Sequence, residues 1–351
     1  MTRKLLIRAA ALTLVLGLLA GCGSSPQSSG QAPAAQAAPQ SGQQAQGSGE
    51  KKQITVAMIP KVAGIDYFNA VEKGAQEAAQ ELGIKLIYNG PAQADVTKQI
   101  ELIDNFITQK VDVIAVSPND PQAIAPVLEK AKQQGIRVLT FDADAAKQAR
   151  EFFVNQATQE AIGRTLVDVM VQQVGDSGET AIVTGSLTAA NQNAWMEWMR
   201  KHVQEKYPNL KIVDVKPSEE DQQLAFQVTQ DLLKAYPNLK GIFAITSVAL
   251  PGAAEAIKQA GMAGKIGITG LATPNAMRPY VEGGVVPSFV LWSPVDLGYL
   301  TVYAADLLVK GELKEGKIKA GRLGEKDVKG DEVLLGPPTI FTKENIGNYN
   351  F

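Results

Sequence analysis

Cysteine and histidine are almost missing from this chain: its 351 residues hold one of each, Cys22 and His202. Without a second cysteine no internal disulfide can form. With so little thiol and imidazole, zinc sites and Cys/His or Ser/His/Asp nucleophile systems are excluded. His202 lies in Arg200-Lys201-His202-Val203-Gln204-Glu205, a polar stretch of helical character, and reads as a solvated surface residue. Basic charge is not in excess either, with 34 Lys+Arg against 36 Asp+Glu. Nucleic-acid binding needs a concentrated basic surface and is not expected. No cofactor fingerprint is visible, so neither a cofactor nor a metal is expected.

The position of the one cysteine is informative. Arg3, Lys4 and Arg8 make a positive start, residues 9–20 an apolar run, and Leu18-Leu19-Ala20-Gly21-Cys22 a small-residue cut site. This is the order of a secretory signal, and the run is too short for a good membrane span. A cysteine directly at the cleavage point resembles the bacterial lipobox, so residues 1–22 are expected to be a lipoprotein signal with Cys22 lipidated. Two or more acyl chains would anchor the protein stably to a membrane.

Residues 23–53 are dominated by Gly, Ser, Gln, Ala and Pro, and cannot bury a core. They are expected to be a flexible tether reaching on the order of 30 Å. Without the three basic residues of the signal, 31 Lys+Arg face 36 Asp+Glu, a formal charge of −5.

From Ile54 onward, short apolar β-branched runs alternate with longer stretches of helical period about ten times. This predicts βαβ units and parallel sheets covered by helices. Strands are expected at 54–59, 85–88, 111–117, 137–142, 152–155, 180–184, 211–215, 241–246, 265–270 and 287–291. Helices are expected at 67–82, 96–109, 121–134, 160–173, 191–207, 222–235 and 252–260. Gly83, Gly135, Gly175 and Gly261 fall where a left-handed helix end is wanted. About 300 residues exceed one usual core, so the fold class is α/β with two Rossmann-like lobes and a cleft between them. Residues 54–156 with 287–310 are expected to form lobe 1, and 157–286 with 311–351 lobe 2. Chain crossings are placed near Gln156–Ala157, Pro287 and Lys310–Gly311.

Ligands of such sheets lie beyond the carboxyl ends of the strands, so the residues there are the candidates. Lys61, after the first strand, can donate up to three hydrogen bonds, with Phe68 a turn or two on. Asp142, preceded by Phe141, can accept two hydroxyls of a polyol, while Asp144 reads as a turn residue. Asn191 and Gln192 are amides that donate and accept at once, although Asn191 could simply cap a helix. Thr246 and Ser247 follow the eighth strand and Thr273 the ninth. Trp195, Trp198 and Trp292 are not assigned to the ligand, because at least one of the first two is expected to pack on a sheet.

Several stretches resemble a known family. They are Ile59-Pro60-Lys61, Tyr88-Asn89-Gly90-Pro91, Leu139-Thr140-Phe141-Asp142, Asn191-Gln192-Asn193-Ala194-Trp195, Ala249-Leu250-Pro251, Thr273 to Val281, and Phe341-Thr342-Lys343-Glu344-Asn345-Ile346. In these the chain is similar to type I periplasmic sugar-binding proteins of ABC importers, in the branch of rhamnose-binding proteins and Lsr-type autoinducer-2 receptors. The resemblance implies that Lys61 and Asp142 bind ligand. The family's Asp-Gln pair falls on Asn191 and Gln192, and its proline and alanine after the eighth strand fall on Ile245 and Ser247. Three departures in one pocket imply a related but different cyclic polyol. A hydrogen-bonding site discriminates by roughly 10⁴-fold when a buried partner is left unpaired. The loop from Thr184 to Gln192 and Ser247-Val248-Ala249-Leu250-Pro251 look more like the rhamnose-type members.

The implied protein is therefore a monomeric, lipid-anchored binder that closes on a rhamnose-like sugar or an autoinducer-2-like polyol. Its expected partners are an ABC permease and its ATPase, and the membrane through the lipid alone. A signalling receptor is the alternative within the fold. A sugar-modifying enzyme lacks visible chemistry here, and a LacI-type repressor would need a DNA-reading element ahead of Ile54.

Overall fold

The computed structural model describes residues 53–351. The signal, Cys22 and the tether up to residue 52 lie outside the described residues. The first half of the fold runs β1 (Thr55–Ile59), α1 (Asp66–Leu82), β2 (Lys85–Tyr88), α2 (Val96–Gln109), β3 (Val113–Val116), α3 (Ala125–Gln133), β4 (Arg137–Phe141) and β5 (Phe152–Asn155). The second runs α4 (Gln159–Val174), β6 (Ser177–Thr184), α5 (Ala190–Lys206), β7 (Asn209–Pro217), α6 (Gln222–Ala235), β8 (Leu239–Ala244), α7 (Ala249–Gln259), β9 (Gly267–Gly270) and α8 (Pro274–Glu282). The chain ends with β10 (Ser288–Leu291), α9 (Pro294–Lys310), β11 (Gly316–Lys319), β12 (Glu325–Lys329), β13 (Glu332–Leu334) and β14 (Thr339–Thr342).

Local sequence accounts for many of these boundaries. The Asp95 carboxylate accepts from the Thr97 and Lys98 backbone N–H groups at the start of α2, at 2.8 and 3.2 Å. Asp221 does the same for α6 through Leu224, at 2.7 Å. Such caps satisfy N–H groups that a helix cannot bond internally. Gly83 ends α1 in the left-handed region, where a side chain would be strained.

The first sheet has eight strands in the order β11-β12-β13-β5-β4-β3-β1-β2, parallel from β2 to β13 and antiparallel beyond. Its central strands are buried on both faces. Val56 and Met58 of β1 join the core beneath α1, while Ala57 and Ile59 join the one with Ile103 and Leu128. That two-sided burial explains why these strands read as continuous apolar runs. The second sheet has the order β7-β6-β8-β9, all parallel. Antiparallel β10 and β14 extend it through a bridge between Leu271 and Val290.

Two expectations are corrected here. The C-terminal region does not belong wholly to lobe 2: β13 pairs with β5, so β11–β13 complete the first sheet. Arg150, whose side chain is fully buried, holds this addition by bridging Asp144 and Asp331. Conversely, β10 lies with the second lobe, while α9 packs on α1 in the first. The chain therefore crosses at 156–158, 292–293 and 335–338, not at Pro287 or Lys310–Gly311. The reason is that 287–291 is as apolar as either core requires, so its composition does not show which sheet it joins.

His202 is also not a solvated residue; it is 5% exposed between α4 and α5. Arg164 can only donate, so at 2.7 Å it fixes Nδ1 as the acceptor. The proton then sits on Nε2, which donates to Asp168 at 2.9 Å. Burial pushes the Asp168 carboxyl up, but hydrogen bonds from Tyr207, His202 and Lys206 outweigh it and hold the group below its usual range.

The helices α1 and α9 meet backbone to backbone. A Cβ on Gly74 would strike the Val295 carbonyl, and one on Gly298 the Val71 carbonyl. Gly298→Ala is therefore expected to destabilise the protein by about 1–3 kcal/mol, the usual cost of overpacking, read as a lowered midpoint in urea unfolding. An unchanged midpoint would show that the two helices can part without loss.

Candidate functional site

Each sheet changes winding direction, at β1/β3 in the first and β6/β8 in the second, and the strand ends there open towards one another. Between them lies a narrow cavity of about 40 Å³, room for a few water molecules with the lobes in contact. It is walled by residues that follow five strands of the two sheets: Lys61 after β1, Asp142 after β4, Glu220 after β7, Thr246 and Ser247 after β8, and Leu271 after β9. The start of α5 contributes Asn191, Gln192 and Trp195, and the crossing after β10 contributes Trp292.

Asp142 organises the wall contributed by the first lobe. It takes a left-handed backbone conformation, φ 61°, which Asp tolerates better than most residues. One carboxylate oxygen accepts from the Tyr67 hydroxyl at 2.9 Å and the other from the Ser117 hydroxyl at 2.7 Å. Its carbonyl accepts from the Gln156 amide at 3.0 Å. The Tyr67 oxygen in turn accepts from the Trp292 indole N–H at 2.8 Å. Burial, then the charge of Asp142, pushes the Tyr67 hydroxyl well above the ordinary tyrosine range, so it stays a donor.

The lobes touch across this wall. Lys61, 4% exposed, donates to the Asn191 side-chain oxygen at 2.9 Å and lies 3.9 Å from Asp142. Asn191 donates to the Asp142 carbonyl at 3.4 Å, and Thr188 to that of Asn119 at 3.3 Å. Gln192 accepts from the Gly185 N–H and the Thr184 hydroxyl, at 2.7 and 2.6 Å, and donates to Glu220 at 2.8 Å.

The remaining wall is apolar and aromatic. Tyr67 meets Phe68 edge-on at 5.0 Å and Trp292 edge-on at 6.1 Å, while Trp195 and Trp292 lie 5.9 Å apart. Ile65, Ile245, Leu271 and Leu291 complete it. The Trp195 indole N–H is buried without an acceptor among the described residues, a state that costs roughly 1–3 kcal/mol unless a partner arrives. Hydrogen-bonding groups on one side and flat apolar groups on the other suit a small ring with hydroxyls on its edge. Among the described residues no group of His, Cys, Asp and Glu could hold a metal ion.

The structure brings Lys61, Phe68, Asp142, Asn191, Gln192, Ile245 and Ser247 together on this cavity. Phe141 lies instead in the core, edge-on to Phe68 at 6.5 Å. Thr273 turns its hydroxyl to the Ala276 N–H, capping α8. Asn191 is not a helix cap, since α5 is preceded by Ala189 in that place. Asp144 serves Arg150, in keeping with a turn residue outside the cavity. Sequence reasoning missed Tyr67, Trp195, Glu220 and Trp292. The strand-end rule reaches Trp292 and Glu220, the latter once β7 is extended to Pro217. Trp198 packs against Gly163 with Arg164 and Lys201 over its ring, leaving Trp195 to face the cavity.

Two facing α/β lobes with a cavity across their strand ends define the type I periplasmic binding fold. The chain belongs to the family described as "Periplasmic binding protein domain", which matches residues 56–313; its members bind solutes outside the cytoplasm and are not enzymes. Among curated relatives, the D-allose-binding periplasmic protein of Escherichia coli (strain K12) is 26% identical over 271 residues, 75% of this chain and 85% of that protein. A solute-binding protein of Clostridium phytofermentas, solved with bound L-rhamnose, is 33% identical with a TM-score of 0.82, covering 85% of this chain and 98% of that one. LsrB of Clostridium saccharobutylicum, solved with autoinducer-2, is 30% identical with a TM-score of 0.81, covering 85% and 100%.

The alkaline shift of Tyr67 has a measurable outcome. In a spectrophotometric titration, Tyr67→Phe is expected to match the native protein through the ordinary tyrosine range near 10.0, because Tyr67 is un-ionised there. The stability that Tyr67 contributes through this shift is present below its unfolded value and lost above it. One tyrosine fewer ionising in the variant near pH 10.0 would contradict the burial of this hydroxyl.

Proposed function

We propose that this protein is a lipid-anchored solute-binding protein of an ABC sugar importer, and that it traps a neutral six-carbon deoxy-sugar of the L-rhamnose type. The observation that carries the reading is the pairing of Lys61 and Asp142 on one lobe with Asn191 and Gln192 on the other, around an aromatic wall. Carboxylate, ammonium and amide groups supply donors and acceptors for ring hydroxyls. Ile65, Phe68 and Leu291 give a methyl group an apolar surface. The L-rhamnose-bound neighbour supports this ligand class.

Binding proceeds by hinge closure. Crossings at 156–158, 292–293 and 335–338 let the lobes part. A ligand that touches both lobes is bound more strongly in the closed state and shifts the population towards it. The closed form then docks on a permease that imports the sugar with its ATPase. Autoinducer-2 is the second ligand to test, supported by the likeness to LsrB and by Lys61, Asp142 and Gln192, which the resemblance to autoinducer-2 receptors implies as ligand residues.

A thermal-shift screen against L-rhamnose, D-ribose, D-allose and autoinducer-2 tests the reading. At a ligand concentration about 100 times Kd, binding adds about 2.7 kcal/mol, a rise of several degrees in Tm. L-rhamnose is expected to give the largest rise, and Asp142→Ala to abolish it. A rise that survives in Asp142→Ala would remove Asp142 from the site. The anchor has its own test: Cys22→Ser is expected to move the protein from the membrane fraction to the soluble one. An unchanged distribution would rule out lipidation at Cys22.

A further inference from the structure

The geometry points to Glu220 and Trp195 as a second recognition wall on the second lobe, one that takes hydroxyls along one edge of a neutral sugar and rejects sugars bearing a carboxylate or phosphate. The inference rests on the sugar-binding reading above and names what that site selects.

Glu220 reaches the cavity from a turn with unusual backbone geometry. Glu219 and Glu220 have φ of 50° and 55°, left-handed values that non-glycine residues adopt at an energetic cost. Strain of this kind persists only where the surroundings impose it, and it concentrates at ligand sites. Here Ser218 and Glu219 donate their N–H groups to the Thr184 and Gly185 carbonyls at 2.8 and 2.9 Å, and Asp221 donates back to Ser218 at 2.8 Å. Gly185 is shaped for the carboxylate, since a Cβ there would strike Glu220 Oε1 and crowd Gln192 Nε2. Gln192 holds Oε1 at 2.8 Å, whereas Oε2 has no hydrogen-bond partner among the described residues.

Trp195 supplies the complementary half. It is 3% exposed, lines the same cavity, and its indole N–H has no acceptor among the described residues. The Trp292 indole, by contrast, is already engaged by Tyr67. The wall thus offers an acceptor on Glu220 and a donor on Trp195, so sugar hydroxyls can donate to the first and accept from the second. Charge sets the exclusion. The cavity walls carry one cation, Lys61, close to Asp142, and a second carboxylate on Glu220 leaves them net negative. A carboxylate or phosphate on the ligand would then meet like charge without a free cation. Position 191 is an amide in this chain, so Glu220 provides the second lobe's carboxylate from a different loop.

Isothermal titration calorimetry with L-rhamnose, D-ribose and D-galacturonate tests this on the native protein, Glu220→Gln and Trp195→Phe. The native protein is expected to bind a neutral sugar of this set and not D-galacturonate. Each substitution is expected to weaken neutral-sugar binding by about tenfold or more, and Glu220→Gln to admit D-galacturonate. If Trp195→Phe does not fold, the native indole N–H resonances replace it, and that of Trp195 is expected to move on saturation with the neutral sugar. Native affinity for the neutral sugar in Glu220→Gln, together with an unmoved Trp195 resonance, would overturn the second wall and leave the sugar reading standing. Binding of neither neutral sugar by the native protein would overturn both.

Discussion

The carboxylate and carbonyl of Asp142 tie together parts of the chain that are distant in sequence. The side chain is held by Tyr67 and Ser117, on α1 and after β3. Its carbonyl receives Gln156 from the first crossing segment and Asn191 from the opposite lobe. Through Tyr67 it also reaches Trp292 in the second crossing. Asp142 is therefore bonded to both lobes and to the first crossing segment, and is linked to the second through Tyr67. A displacement of Asp142 would reach these crossing segments directly, with no long relay of packed side chains.

This arrangement depends on the stiffness of the parts beneath it. The central strands of the first sheet are covered on both faces, and α1 is pressed against α9 where Gly74 and Gly298 let the backbones touch. The loop that bears Asp142 continues to Arg150, whose buried guanidinium spans Asp144 and Asp331. Residues held within tenths of an ångström can be aimed at a ligand; residues on loose loops cannot. On the second lobe Gln192 has the same bracing role, linking the loop after β6 to the turn after β7.

Most of the alternation of strands and helices was legible in the sequence, because buried parallel strands and amphipathic helices leave different periodicities. Helices over 96–109 and 222–235 were expected with the bounds that the structure gives them. What escaped was whatever periodicity does not encode. The strands β11–β13 are short and largely exposed, so they resemble loop, and only the pairing of Glu332 with Phe153 reveals their sheet. In the candidate site, residues following a recognised strand were found, as with Lys61 and Asp142. Glu220 was hidden because β7, half-exposed at a sheet edge, reads as shorter than it is. His202 looked solvated because its partners Arg164 and Asp168 lie a helix away. Tyr67 and Trp195 are aromatic residues at helical spacing, which sequence alone cannot separate from ordinary core.

The interleaving of the C-terminus with both lobes has a consequence for biogenesis. The edge of β5 stays unpaired until β13 arrives, and β10 has no antiparallel neighbour until β14 does. A polypeptide emerging from its N-terminus cannot finish the first half before residue 334 is made, or the second before residue 342. Until then it presents open strand edges, which invite pairing with other chains. Late completion of this kind favours a chain that stays unfolded until synthesis is nearly over, the state in which a polypeptide can be threaded across a membrane.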